Sequence, residues 1–264
     1  MSFQRYNYLN PGVTMISYLK LKNGGKLAYR KMDGISPGII FLGGFRSDMN
    51  GVKAHALENF CKKQERAFIC FDYEGHGSSS GKFEDCTIGK WKDNALSVLT
   101  KLTEGRQILV GSSMGAWLAL LLAMQKPRRV AGIIGIASAP DFTENHLLAK
   151  LNKKQLRELE SKGKTMVASD EGDHYPITRK FIEEARHHLL LEEDKIPINC
   201  PVRLLHGTKD EDIPWETSLL LNEKLVSEDV KTILIENGSH TLSEPKDIKK
   251  ILSVVDKMIA WLRV

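Results

Sequence analysis

The sequence predicts an α/β fold: a mostly parallel sheet covered by helices on both faces, with a helical lid inserted between two of its strands. Three observations predict it. Short, β-branched apolar runs alternate with longer amphipathic stretches, the pattern of strand, crossover helix and next strand. The runs are apolar almost without interruption, as strands shielded on both faces must be. One long charged stretch, 141–199, breaks the alternation without supplying a buried strand of its own.

Along the chain, ISYLKL and KLAYRK flank Asn23-Gly24-Gly25 and read as a hairpin, since Asn-Gly suits the left-handed backbone of a tight turn. Buried strands follow at 38–44 (GIIFLGG), 67–73 (AFICFDY), 106–112 (RQILVGS), 130–138 (VAGIIGIAS), 201–207 (PVRLLHG) and 231–238 (KTILIENG). Helices are expected at 51–65, 89–103, 115–126, 215–226 and 245–263. Within 141–199, KLNKKQLRELESKG and PITRKFIEEARHHLLLEE read as amphipathic helices. Leu147, Leu148, Leu151 and Leu156 fall on one apolar face, and Phe181, Ile182, Leu189 and Leu190 on another. At 264 residues and 42% hydrophobic, the chain can bury one core, so 1–264 is read as a single domain carrying the lid at 141–199.

Charge and cysteine content narrow the function classes. The net charge of +5 is spread over mixed signs, with no basic stripe interleaved with aromatics, so no nucleic-acid partner is expected. Cys61, Cys70, Cys86 and Cys200 form no C-x-x-C pair and read as reduced thiols. The first residues lack a basic flank followed by an apolar run, and the longest apolar run, 116–124, is far short of the roughly 20 residues that span a bilayer. A cytoplasmic protein without stable membrane insertion is the expectation. No phosphate-binding glycine loop and no histidine–carboxylate cluster with zinc spacing appears, so neither cofactor nor metal is expected.

Gly111-Ser112-Ser113-Met114-Gly115 matches G-x-S-x-G, which needs a strand leading in and a helix leading out. RQILV and AWLALLLAMQK supply both, which marks Ser113 as the nucleophile. Gly77-Ser78-Ser79-Ser80-Gly81 has the same spacing but is followed by KFEDCTIGK, so Ser79 falls on a loop and is set aside.

A serine hydroxyl needs a base and the base an orienting carboxylate, which this architecture orders Ser, acid, His. His240 follows ILIENGS, on a loop beyond a strand's C-terminal end where such sheets bind ligands, and is the base. His206 ends a strand beside Gly207 and reads as structural, and His76 as a brace for its own loop. The acid comes from HGTKDEDIPW: Asp210, first after the strand, is preferred to Asp212. The backbone N–H groups of Met114 and of Phe45, in the turn Gly43-Gly44-Phe45, are the expected oxyanion donors, worth about 3 kcal/mol each.

FLGGFRSDMNGVKA, FDYEGHGSSSG, GSSMGAW, FIEEARHHLL and PINCPVRLLHGTKDEDIPW together make the chain resemble the α/β-hydrolase family, and within it the branch of mitochondrial palmitoyl-protein thioesterases and acyl-glucuronide esterases. The resemblance covers most of the chain. It implies a serine hydrolase acting on small esters or thioesters, S-acylated proteins among them, and favours Asp210 over Asp212. The chain departs from that branch at Gly43, where Pro or His is frequent, and in lacking a transit extension, which points to the cytoplasm. The same triad also serves peptidases and lactone or carbon–carbon hydrolases. A non-catalytic binding protein on this fold is expected to lack a triad member, and none is missing.

Overall fold

The structure, a computed structural model, describes residues 15–169 and 172–262; the ends of the expected 1–264 domain and residue 263 of the last expected helix lie outside the described residues. The strands are β1 (Ser17–Lys20), β2 (Lys26–Met32), β3 (Ile35–Leu42), β4 (Arg66–Phe71), β5 (Gln107–Ser112), β6 (Val130–Ile136), β7 (Lys164–Ala168), β8 (His174–Thr178), β9 (Val202–Gly207) and β10 (Val230–Ile235). The helices are α1 (Val52–Lys63), α2 (Ile88–Lys101), α3 (Met114–Gln125), α4 (Lys153–Lys162), α5 (Arg179–Ala185), α6 (Glu216–Lys224) and α7 (Pro245–Trp261).

Eight strands form one sheet in the order β1-β2-β4-β3-β5-β6-β9-β10. Pairing is antiparallel between β1 and β2 and between β2 and β4, and parallel from there on. The chain leaves β3 toward β4 on one side and returns as β5 on the other, so a crevice opens at the C-terminal ends of β3 and β5, where such sheets take ligands.

Alternate residues of each central strand feed two separate cores. Ile39, Phe41, Ile108 and Val110 join α1 and α7 on one face. Ile40, Leu42 and Leu109 join α2, α3 and α6 on the other. That double burial is why these strands carry no polar alternation. Helix α3 is apolar all round because it is enclosed by the sheet, α2 and residues of the 141–199 segment; truncating a buried leucine such as Leu118 to Ala costs about 2–5 kcal/mol.

Two expectations are corrected here. The run KTILIENG forms β10, but as an edge strand with only β9 beside it, half-exposed and not buried. The 141–199 segment is not wholly helical: β7 and β8 pair as an antiparallel hairpin. Thr165 opposite Ile177 and Val167 opposite Tyr175 form its inward face, a period-2 signal confined to five residues a side and interrupted by Pro176. The segment's first expected helix is also divided. A π-helical turn over Thr143–Leu148 ends before Asn152, whose side chain accepts from the Lys154 and Gln155 N–H groups to begin α4 afresh, and Leu156 ends up exposed.

The segment is tied down at its base. Buried Asp141 accepts the N–H groups of Leu190 and Leu191, joining its entry to its exit. Glu184 of α5 accepts the Gly89 N–H at the start of α2, and Trp117 Nε1 of α3 donates to the His188 carbonyl.

Candidate active site

Ser113 joins β5 to α3 without an intervening loop, and its backbone lies at φ 53°, ψ −118°, a region that costs a non-glycine residue about 1–3 kcal/mol. Three backbone hydrogen bonds hold it: the Ser113 N–H donates to the Ile136 carbonyl at 2.8 Å, and its own carbonyl accepts from the N–H groups of Ala116 at 2.9 Å and Ala139 at 3.3 Å. The flanking glycines permit the turn. A Cβ on Gly111 would lie 2.5 Å from Ala116 Cα, and one on Gly115 would run into the Leu42 carbonyl on β3.

The loops after β9 and β10 bring the other two expected residues to the same place. Ser113 Oγ lies 3.0 Å from His240 Nε2, and His240 Nδ1 lies 2.8 Å from Asp210 Oδ2. The Asp210 side chain is fully buried. Its Oδ1 accepts the N–H groups of Asp212 and Ile213 at 3.0 and 2.8 Å. Burial would raise its pKa, but hydrogen bonds from His206 and His240 outweigh that and hold the carboxyl well below the usual carboxylate range. Asp212 is half-exposed and its carboxylate forms an ion pair with Lys150 at 3.0 Å.

His206 holds a place that sequence reasoning gave it only as a structural residue. Fully buried, it puts Nε2 3.0 Å from the same Asp210 Oδ2 that faces His240, while its Nδ1 lies 2.7 Å from Ser218 Oγ on α6. With Nδ1 accepting from Ser218, Nε2–H is fixed as a donor to the carboxylate. The four-residue spacing from His206 to Asp210 was visible, but its partner Ser218 was not.

Phe45, in the turn after β3, lines the same cavities as Ser113, Met114 follows Ser113 as the first residue of α3, and among the described residues neither backbone N–H donates a hydrogen bond. The turn that carries Phe45 is braced by His76, whose Nε2 accepts the Arg46 N–H at 3.1 Å while Nδ1 faces the Glu74 carbonyl. Burial pushes the His76 pKa down to about 4, keeping the ring neutral and able to accept. Phe45 packs on five rings, Phe83, Trp91, Phe142, Tyr175 and Phe181, at centroid distances of 5.1–5.8 Å. Ser79 is elsewhere: its Oγ donates to the Asp72 carbonyl at 2.6 Å and accepts the Ala28 N–H at 2.8 Å.

Two cavities border Ser113, His240 and Phe45. One of about 310 Å³ lies against the 141–199 segment, with Phe142, Leu147, Val167, Tyr175 and Ile213 in its wall. The other, about 260 Å³, lies between the start of α1 and the His240 loop and is lined by Ser47, Lys53, Thr241 and Ser243. A larger cavity of about 610 Å³ sits at the opposite ends of β3 and β5, around Gly38 and Gln107, and touches none of the candidate residues. Asp210, Asp212 and His240 bring possible ligand atoms within 4.8 Å of one another, but Asp210 Oδ2 and His240 Nδ1 already face each other, so a cation would have to displace that hydrogen bond.

The sequence profile of the α/β hydrolase fold matches residues 39–182. The mouse protein named palmitoyl-protein thioesterase ABHD10, mitochondrial, is 45% identical over 248 residues, covering 92% of this chain and 82% of its own length. The structure of mouse α/β hydrolase domain-containing protein 10 superposes with a TM-score of 0.87 at 44% identity, covering 94% of this chain and all of that one. A hydrolase from Agrobacterium vitis S4 gives 0.86 at 34% identity, covering 94% and 98%. The mammalian relatives at 43–45% identity are all named mitochondrial, which overturns the cytoplasmic expectation drawn from the N-terminal sequence.

Proposed function

The chain belongs to the α/β-hydrolase fold family and is a hydrolase, and from that premise we propose that it cleaves acyl thioesters and esters through Ser113, His240 and Asp210, acting as an acyl-protein thioesterase in a mitochondrial setting. The observation that carries this reading is the hydrogen-bonded chain from Ser113 Oγ through His240 to buried Asp210, at 3.0 and 2.8 Å.

His240 Nε2 takes the Ser113 proton as Oγ attacks the acyl carbonyl, and ionised Asp210 stabilises the resulting imidazolium and fixes its tautomer. The carbonyl oxygen becomes an oxyanion facing the Phe45 and Met114 N–H groups. Collapse expels the thiolate or alkoxide, which takes the proton from His240 and leaves Ser113 acylated. Water, deprotonated by His240, then attacks the acyl-enzyme, and its collapse releases the acid and returns the proton to Ser113.

The cavity of about 310 Å³ takes the acyl chain against the apolar side chains of its wall, and the inserted segment acts as its lid. Phe142, Leu147, Val167 and Tyr175 of the lid share its wall with Ile213. Each buried CH₂ contributes about 0.8 kcal/mol, so kcat/KM should climb as the acyl group grows from acetyl to medium length. A graded series of S-acyl-cysteine thioesters tests it. Rising kcat/KM that flattens in Leu147→Asn supports the reading, and a steady fall from acetyl onward removes acyl chains as substrates. No helix among the described residues is long and apolar enough to cross a membrane.

A further inference from the structure

We propose that Lys53 is a self-acylation site, which takes the acyl group from a thioester held in the cleft beside Ser113 and keeps it as an amide. The proposal rests on the reading that this cleft takes acyl thioesters.

Each of the two cavities that border Ser113 and His240 carries a lysine, and the two lysines are held in opposite ways. Lys150, in the wall of the cavity against the lid, is exposed, and its ammonium is matched by the Asp212 carboxylate at 3.0 Å. Lys53, in the wall of the cavity beside α1, is half-buried and bonded to neutral oxygens: Nζ donates to the Thr241 carbonyl and lies 3.3 Å from Ser243 Oγ. Thr241 follows His240 in the chain, so this amine is moored to the loop that carries the base. Lys53 is also the second residue of α1, whose first turn holds no acidic residue. The unpaired N–H groups of that turn disfavour a cation there.

The charges around Lys53 leave it reactive. Exposed Asp48 shares the cavity wall with one carboxylate oxygen accepting the Asn50 N–H, Asp247 of α7 is buried, and His240 is the remaining titratable group in the wall. Burial lowers the Lys53 pKa to about 8 against the pull of Asp247. At pH 8 about half of it is free amine, against about one part in three hundred for a lysine at the ordinary 10.5. A less basic nucleophile attacks more slowly, which gives back part of that advantage.

The step balances without a further reactant. Neutral Nζ attacks the thioester carbonyl carbon and the C–S bond breaks. The proton lost by nitrogen goes to the departing thiolate, leaving an N-acyl-lysine and a free thiol.

The test is octanoylation by S-octanoyl-N-acetylcysteamine, mapped lysine by lysine by mass spectrometry in a Ser113→Ala variant, where hydrolysis no longer consumes the thioester. At pH 8 Lys53 should be acylated about tenfold faster than Lys150, at a rate that saturates with thioester concentration. That rate should rise about fivefold from pH 7 to pH 8 and flatten above pH 9, as the amine is freed. Lys53→Arg in the same background should remove the saturable part of the octanoylation. Equal rates at the two lysines, a rate at Lys53 that stays linear in thioester, or a saturable part that survives Lys53→Arg overturns the proposal. Turnover of the same thioester by the unaltered protein keeps the two readings apart. Turnover without Lys53 acylation in the variant overturns the site alone, whereas saturable Lys53 acylation without turnover supports the site and overturns the thioesterase.

Discussion

The chain carries G-x-S-x-G twice, and the two copies fold into opposite things. Around Ser113 the motif is squeezed between β5 and α3, with a left-handed serine backbone and an Oγ facing His240. Around Ser79 it is a loop after β4 whose serine hydroxyls act as tethers: Ser79 and Ser80 accept the Ala28 and Lys26 N–H groups along β2. In the first copy the glycines make room for backbone of β3 and α3. In the second, Gly77 makes room for the Asp72 carboxylate. The pattern is shared, and the flanking strand and helix decide whether its serine is presented or consumed in hydrogen bonds.

The sharpest way to break this comparison is to delete each hydroxyl. Ser113→Ala should remove turnover by about a millionfold in kcat, the scale seen when a triad nucleophile is lost. The fold should be unaltered by circular dichroism. Next in size, Asp210→Asn should lower kcat by about 10³–10⁴, because the amide leaves His240 in the wrong tautomer, whereas Asp212→Asn should change it less than about threefold. Steady-state kinetics on one thioester settles both, and a reversal would move the acid to Asp212.

His206→Leu should lower kcat about tenfold by removing one charge-assisted hydrogen bond to Asp210. It also has a readout in stability. The depressed Asp210 pKa contributes stability above the ordinary carboxylate range, which is lost as pH falls through the folded value; without His206 that loss should begin at higher pH in denaturant titrations.

The smaller effects belong to the Ser79 region. His76 is neutral when folded, with its pKa lowered from 6.5 to about 4, so the unfolded chain binds the extra proton between those values. Stability should fall by up to about 3 kcal/mol as pH drops from 6.5 to 4, and His76→Gln should flatten that fall. Ser79→Ala should cost about 1–2 kcal/mol in denaturant unfolding at pH 7, with kcat/KM for a thioester unchanged.

The same contrast separates what the sequence disclosed from what it did not. The central strands and α3 were legible because burial on both faces writes continuous apolar runs, and the Ser113 turn because strand, glycines and helix all agree there. KTILIENG has the same apolar run yet forms an edge, since strand order is a tertiary property that composition does not carry. Between 141 and 199 the signals are short and mixed. Asn152 interrupts what reads as one amphipathic helix, and β7 with β8 offers only two inward pairs, Thr165 with Ile177 and Val167 with Tyr175. His206 and Ser218 are twelve residues apart and on different elements, so their bond to each other, and through it to Asp210, has no local pattern. The location was not legible for a different reason: the composition of the first residues does not say where a chain resides, and the mitochondrial setting enters through the relatives.

The most direct measurement is labelling with a fluorophosphonate, followed by mass mapping of the modified peptide. The account predicts a single adduct on Ser113, formed at a rate that falls with loss of His240 or Asp210. An adduct on Ser79, or an intact folded protein that takes no label, would contradict it.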